Sequence, residues 1–141
     1  MIERVIFNNE EYAIILRDSY NKPGISFFTP AEYSQQLAYM QHPAGKTIDP
    51  HFHNKVKRQV HFTLEVLVIK KGILQVDFYN SRKEYLESRL LKEGDLILLI
   101  KGGHGFEVIE DVEMIEIKQG PFVGEKDKTR FAPVKEHILN A

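Results

Sequence analysis

Two histidines, His51 and His53, stand two residues apart in HPAGKTIDPHFHNKVK, residues 42–57, a stretch rich in Gly, Pro and charged residues. On an extended strand, side chains two residues apart leave the backbone on the same face, so both imidazoles can approach one metal ion. His-x-His alone is a weak signal, because polar residues at the mouth of a strand produce the same pattern. The pair is therefore either half of a metal site or part of an ordinary polar rim.

Two further residues favour the metal interpretation. Glu65 lies in the apolar run HFTLEVLVIK, residues 61–70, where alternation places it on one face with Leu67 and Ile69. An ionised carboxylate in apolar surroundings is costly unless it is paired or coordinates a metal. His104 lies in KGGHGF, whose glycines let the backbone come close to a ligand.

Three neutral imidazoles and one carboxylate suit a divalent transition metal, namely Fe, Mn, Ni, Co, Cu or Zn. The chain contains no cysteine, which excludes disulfides, Fe–S clusters and thiolate zinc sites. The predicted metal ligands are therefore His51, His53, Glu65 and His104, and the catalytic residues remain unknown.

The elements that must position these residues are strands. Short β-branched and aromatic runs, bounded by Gly, Pro, Asn and Asp, predict an all-β sandwich or barrel. The runs are RVIF, YAIILRD, GISFF, QLAYM, HFTLEVLVI, ILQVDFY, DLILLI, FEVI and VEMIEIK. TPAEYSQQLAYM, residues 29–40, and APVKEHILNA, residues 132–141, each predict a short helix. No linker or repeat divides residues 1–141, so we expect a single domain.

Alternation along the runs also predicts the barrel core and its neighbours. The predicted core residues are Leu67, Ile69, Leu74, Val76, Phe78, Ile97, Leu99 and Phe106. His61 shares the face of Glu65 but stands four residues away, about 13 Å along an extended strand. We therefore interpret His61 as a residue at the rim of the site.

The order of the candidate ligands resembles the two sequence motifs of the cupins. The first motif has a Gly, a His-x-His, a Glu and a Gly, found here at Gly45, His51, His53, Glu65 and Gly72. The second motif is similar to GDLILLIKGGHGF, residues 94–106, which ends around His104. The resemblance covers about residues 35–120. It implies a double-stranded β-helix, or jelly-roll barrel, with short helical or irregular terminal segments and the metal inside its mouth.

The chain departs from the cupin pattern in both motifs. Residues 54–64 separate His53 from Glu65, where three or four residues are usual, and this insertion carries Lys55, Lys57 and Arg58. In the second motif, Ile100 stands where Pro is usual, and one residue is missing before His104. The turn is still rich in glycine, so we expect the ligand position to survive.

The C-terminal tail, residues 121–141, is expected to pack on the barrel. Gln119-Gly120-Pro121 forms a predicted turn that redirects the chain across it. A structural flap over one sheet edge and a substrate-binding role are both open, and the flap is favoured.

Charge and hydropathy limit the partners. The net charge is −1 and the pI is about 6.6, which argues against nucleic acid. No apolar stretch is long enough to span a bilayer, and MIERVIFNNEEY carries charges where a signal peptide is apolar, so we expect a cytoplasmic protein without a membrane partner. Val66 and Val68 point outward, which together with the habit of the family predicts a homodimer formed by sheet packing.

Three classes of function fit these residues. The first is an enzyme that uses the metal on a small organic molecule, such as an isomerase, a dioxygenase or a sugar-modifying enzyme. The second is a non-catalytic module that binds a small acid or sugar. The third is a metal-free isomerase or epimerase with His51 or His104 as base and Tyr39 or Tyr79 as acid. Whether the protein is an enzyme is left open, because one fold hosts many chemistries.

Overall fold

The computed structural model describes residues 1–133, so the predicted helix at 132–141 lies almost entirely outside the described residues. Eight strands and one 3-10 helix form the described chain. The strands are β1 (Ile2–Phe7), β2 (Glu10–Leu16), β3 (Gly24–Phe27), β4 (Ala38–Gln41), β5 (Glu65–Tyr79), β6 (Tyr85–Lys92), β7 (Leu96–Leu99) and β8 (Gly103–Lys118), and the 3-10 helix is Gly124–Asp127. The prediction of an all-β protein is confirmed for this part of the chain.

Six strands form one antiparallel sheet around β5. The order is β1-β2-β7-β5-β6, and β8 also pairs with β5. On one edge of β5, residues 65–68 pair with β7 and residues 73–79 pair with β6. On the other edge of β5, β8 pairs along the whole strand. β3 and β4 form a separate hairpin. The two long strands therefore connect both halves of the sheet.

The sheet curls into a half-barrel. Glu65 pairs with Lys118 at one end of the β5–β8 ribbon, and Phe78 pairs with His104 at the other. A straight ribbon would separate the two ends by about 40 Å. The side chains of Glu65 and His104 nevertheless lie 3.3 Å apart. The ribbon therefore folds back on itself, and its register shifts between Ile69 and Leu74 mark the bend.

Two buried apolar clusters pack on the sheet, one on each face. The concave side holds seven of the predicted core residues: Leu67, Ile69, Leu74, Val76, Phe78, Ile97 and Leu99. Phe106 was also predicted to lie in the core, and this prediction is wrong, because its side chain on β8 is 42% exposed. A second cluster of Ile14, Leu37, Leu64 and Leu98 covers the opposite face and packs against Val66. Val66 and Val68 were predicted to form the dimer face, and Val66 is thus partly covered by its own chain.

Several predicted element boundaries differ from the structure. HFTLEVLVI and ILQVDFY were predicted as two separate strands, but they join in β5, and FEVI and VEMIEIK join in β8. Residues 61–64 lie outside any strand, whereas β6, YLESRLLK, was missed. Segments that alternate weakly become strands when a long neighbour such as β5 offers a paired edge.

The predicted helix at residues 29–40 is replaced by turns and bends followed by β4. The Thr29 hydroxyl donates to the side-chain carbonyl of Gln36 and accepts the N–H of Leu37. The Gln36 amide in turn donates to the carbonyl of Pro30 at 2.9 Å. These side-chain bonds close a compact loop in place of the helical ladder.

Within residues 1–133 no helix is long and apolar enough to cross a membrane.

Candidate metal centre

Glu65 and His104 form the centre of the candidate site. Glu65 is the first residue of β5 and His104 the second of β8, and the curl of the ribbon brings them together. Glu65 Oε1 lies 3.3 Å from His104 Nε2, and the side chains are 12% and 26% exposed. The ring of Phe106 lies 5.4 Å from that of His104 and forms the outer wall. The pair is therefore half-buried and reachable from solvent.

The two carboxyl groups at the site, those of Glu65 and Glu116, have pKa values shifted in opposite directions. The hydrogen bond to His104 lowers the pKa of Glu65 to about 2, against the opposing effect of burial. The neighbouring carboxyl of Glu116 has its pKa raised, because it hydrogen-bonds to Glu65 and is itself partly desolvated. Glu65 therefore carries the negative charge at the site, and Glu116 is the carboxyl that retains a proton to higher pH.

The tail contacts this end of the half-barrel. Asp127 accepts a hydrogen bond from Thr63, and the charge of Lys128 lowers the pKa of Glu65 and opposes the rise at Glu116. Thr63, residues 118–125, Asp127 and Lys128 line a cavity of about 330 Å³ at this end. Farther along, Phe131 stacks edge-on against Tyr79, with ring centroids 5.1 Å apart.

His51 and His53 lie elsewhere. Both are exposed, and their ring centroids are 5.5 Å apart. His51 Nδ1 lies 2.9 Å from the Asp49 carbonyl oxygen, to which it can donate. In residues 1–133, no three His, Asp or Glu side chains are grouped so that they could hold a metal ion. The structure thus places the four predicted ligands as two pairs and does not bring the pairs together.

The other candidate residues stand apart from the Glu65–His104 pair. His61 and the insertion residues 54–62 are exposed. Tyr39 packs edge-on against Tyr20 on the β3–β4 hairpin. Tyr79 pairs with Gly103, one position along from Phe78 and His104, so its side chain leaves the opposite face of the sheet. Neither tyrosine is placed beside the imidazole of His104.

Sequence reasoning missed Glu116 and Lys128. Glu116 stands in an alternating run, but only its pairing with Leu67 on β5 places it beside Glu65. Lys128 stands between Lys126 and Arg130, a local pattern that is typical of a solvated surface. A contact that depends on strand pairing or on the return of a tail leaves no local signal in the sequence.

No protein-family model, curated protein or solved structure matches this chain. Its function can be inferred only from its own residues and their geometry.

Proposed function

We propose that this protein binds a divalent transition metal ion at Glu65 and His104, with His51 and His53 as the remaining ligands, and that the ion holds a small molecule at the mouth of the barrel. We further propose that the half-barrel is part of a cupin-type jelly roll. The observation that carries the proposal is the 3.3 Å separation of Glu65 Oε1 and His104 Nε2.

This separation fits two ligands of one ion. Donors that each lie about 2.1 Å from a metal, at an angle between the octahedral and tetrahedral values, stand about 3.0–3.4 Å apart. A charge-assisted hydrogen bond between an imidazolium and a carboxylate is shorter, about 2.7–2.9 Å. A neutral imidazole and an ionised carboxylate are also the protonation states that a metal requires.

The half-open position of the pair supports a small-molecule role. A bound metal would supply Lewis-acid or oxygen-activating chemistry. Glu65 would provide the negative charge and His104 a neutral nitrogen donor. The adjoining cavity, with Lys128 and Lys118 in its lining, has room for a small anionic group. A non-catalytic module that binds such a molecule fits the same geometry.

A metal-free acid–base enzyme is the second candidate. Its support is the direct contact between Glu65 and His104, since a carboxylate that orients an imidazole raises its basicity and fixes its tautomer. In this case His104 is the base and Glu65 orients it. The nearby protonatable carboxyl, Glu116, then takes the place of a tyrosine as the acid.

Elemental analysis tests the two candidates. The tag-free protein, reconstituted separately with each of the six metals and then desalted, should retain close to one ion per chain for at least one of them. His104→Ala should abolish retention, and Glu65→Gln should weaken it. His61→Ala is the matched control, because His61 is an exposed histidine that stands apart from the Glu65–His104 pair and should be dispensable. A wild-type protein that retains none of the metals contradicts the metal site and favours the acid–base alternative.

A further inference from the structure

The segment before β5 is extended and uncovered. Every residue from 43 to 62, here called the arm, is exposed, and none belongs to a strand. Within residues 1–133, the only backbone hydrogen bond inside the arm joins the N–H of Lys46 to the carbonyl of Pro43. A segment of this length usually lies on the surface with its own packing, or against a partner.

The arm exposes large apolar side chains at regular intervals. Their exposed fractions range from 43% to 85%, and the residues are Ile48, Phe52, Val56, Val60 and Phe62. Scattered single apolar residues are normal on a surface, but a series along one uncovered segment indicates an interaction site.

β8 presents a complementary surface. Among the described residues it pairs only with β5, so its other edge leaves a row of backbone N–H and C=O groups unpaired. Its exposed apolar residues are Phe106, Val108, Ile109, Met114, Ile115 and Ile117. A long edge strand of this kind is a template for an added strand.

The charges of the two surfaces are opposite. The arm carries four cations against the single carboxylate of Asp49: Lys46, Lys55, Lys57 and Arg58. β8 carries five exposed carboxylates against the single cation of Lys118: Glu107, Glu110, Asp111, Glu113 and Glu116. Two β8 edges facing each other would repel, whereas the arm and β8 attract.

We propose that the arm of one copy adds to the free edge of β8 in a second copy, and that the reciprocal contact closes a two-fold homodimer. Within one chain, the β5–β8 ladder extends to Leu64 and stops short of the arm: the N–H of Gln119 donates to the carbonyl of Leu64 at 3.0 Å. The arm is fully exposed, and its own β8 edge stays open. The arm has 20 residues and β8 has 16, which is enough for the roughly 20–30 residues per side of a standard stable interface.

The exchange would also complete the metal centre. His51 and His53 lie on the arm, and His104 lies near the start of β8. An arm seated along that edge carries its imidazoles past His104 and Glu65 of the other copy. This part rests on the proposed function, and it makes each metal centre a site shared by two chains.

Cross-linking tests the exchange without reference to metal. The chain has no cysteine, so single substitutions are specific. An isotope-labelled Val56→Cys chain is mixed with an unlabelled Val108→Cys chain, refolded together and treated with a short bismaleimide. We expect a covalent dimer of unlike chains, with the two cysteine peptides joined. Val56→Cys mixed with Phe27→Cys is the control, since Phe27 is at least as exposed as Val108, at 66% against 55%, but lies on β3.

Two results would overturn the exchange. One is a cross-linked yield no higher than that of the Phe27→Cys control. The other is a doubly substituted chain, carrying both Val56→Cys and Val108→Cys, that links only within itself. Light scattering must also give the mass of two chains, and a monomer at micromolar concentration contradicts the proposal.

Complementation tests the shared site. A His51→Ala, His53→Ala chain is refolded together with a Glu65→Gln, His104→Ala chain, neither of which should retain metal alone. Random pairing makes half of the dimers mixed, each with one intact site, so metal should return to about one quarter of an ion per chain. If wild type binds metal and the mixture does not, the shared site is wrong. If wild type binds none but cross-links, the proposed function alone fails.

Discussion

Replacing Asp95 with alanine removes a fully buried carboxylate from the corner between β6 and β7. One carboxylate oxygen accepts the N–H of Asp18 and the other the N–H of Lys92, both at 2.9 Å. The second oxygen also accepts from Arg17 Nη1 at 2.9 Å. This single side chain therefore ties the end of β2 to the β6–β7 turn.

The expected loss follows from these three bonds. In the alanine variant two partly buried backbone N–H groups, those of Asp18 and Lys92, lose their acceptor, at a cost of about 1–3 kcal/mol each. Arg17 keeps its bonds to Glu3, at 2.7 and 3.1 Å, so its charge is still compensated. We expect Asp95→Ala to lower the free energy of unfolding by about 3–5 kcal/mol. Asp95→Asn should lose roughly half as much, because the amide keeps one of the two oxygens.

Urea unfolding followed by circular dichroism measures this loss. All variants are compared at one protein concentration, because association raises apparent stability. For a slope of about 2 kcal/mol/M, the midpoint of Asp95→Ala should fall by about 2 M with an unchanged slope. Asp18→Asn is the control, since Asp18 is exposed in the same corner and should shift little. A loss below about 1 kcal/mol for Asp95→Ala would refute the assigned role of the carboxylate.

Three further changes have defined outcomes. Gly72→Ala should be much more destabilising than Gly24→Ala in urea unfolding: both have positive φ, but at Gly72 a Cβ would collide with the backbone carbonyl of Asp111 on β8, whereas at Gly24 it would meet open space. Leu74→Ala should cost about 2–5 kcal/mol in the same assay, because the side chain is fully buried. Glu3→Gln should lower the free energy of unfolding at neutral pH but have the same stability as wild type in acid. The hydrogen bond from Arg17 lowers the pKa of Glu3 below its ordinary 4.5. The stabilisation by the ionised carboxylate is therefore lost as pH falls through that lower pKa. Equal losses at neutral and acidic pH would contradict this last assignment.

Alternation predicts which face of a strand is buried, and it succeeds for strands that another layer covers. Leu67, Leu74 and Ile97 all lie in the core as expected. It fails for Phe106, because β8 is an edge strand and nothing within residues 1–133 covers its outer side there. Periodicity carries no information about whether a second layer is present.

Turn composition misled the prediction at residues 70–72. Gly72 does have the positive φ typical of a turn. However, β5 continues through it, because β8 pairs on both sides and the extra residues form a bulge. The same bend brings Glu65 to His104, so the contact that matters most for the proposed function depends on a long-range pairing that no local pattern reports. For His51 and His53, the assumption that they lie on a strand is not met in the described chain.

The two halves of the candidate metal centre differ in how far they are preorganised. The contact of Glu65 with His104 is built into the curled ribbon, whereas the exposed histidines of the arm must still be brought to that pair. The loss of backbone freedom in the arm opposes the exchange, and burial of its five apolar side chains favours it. Metal that bridges the two chains should tighten the dimer, and a chelator should loosen it. Analytical ultracentrifugation measures the dissociation constant of the dimer with metal and with a chelator. If the two values are equal, His51 and His53 are not ligands of a metal shared between the chains.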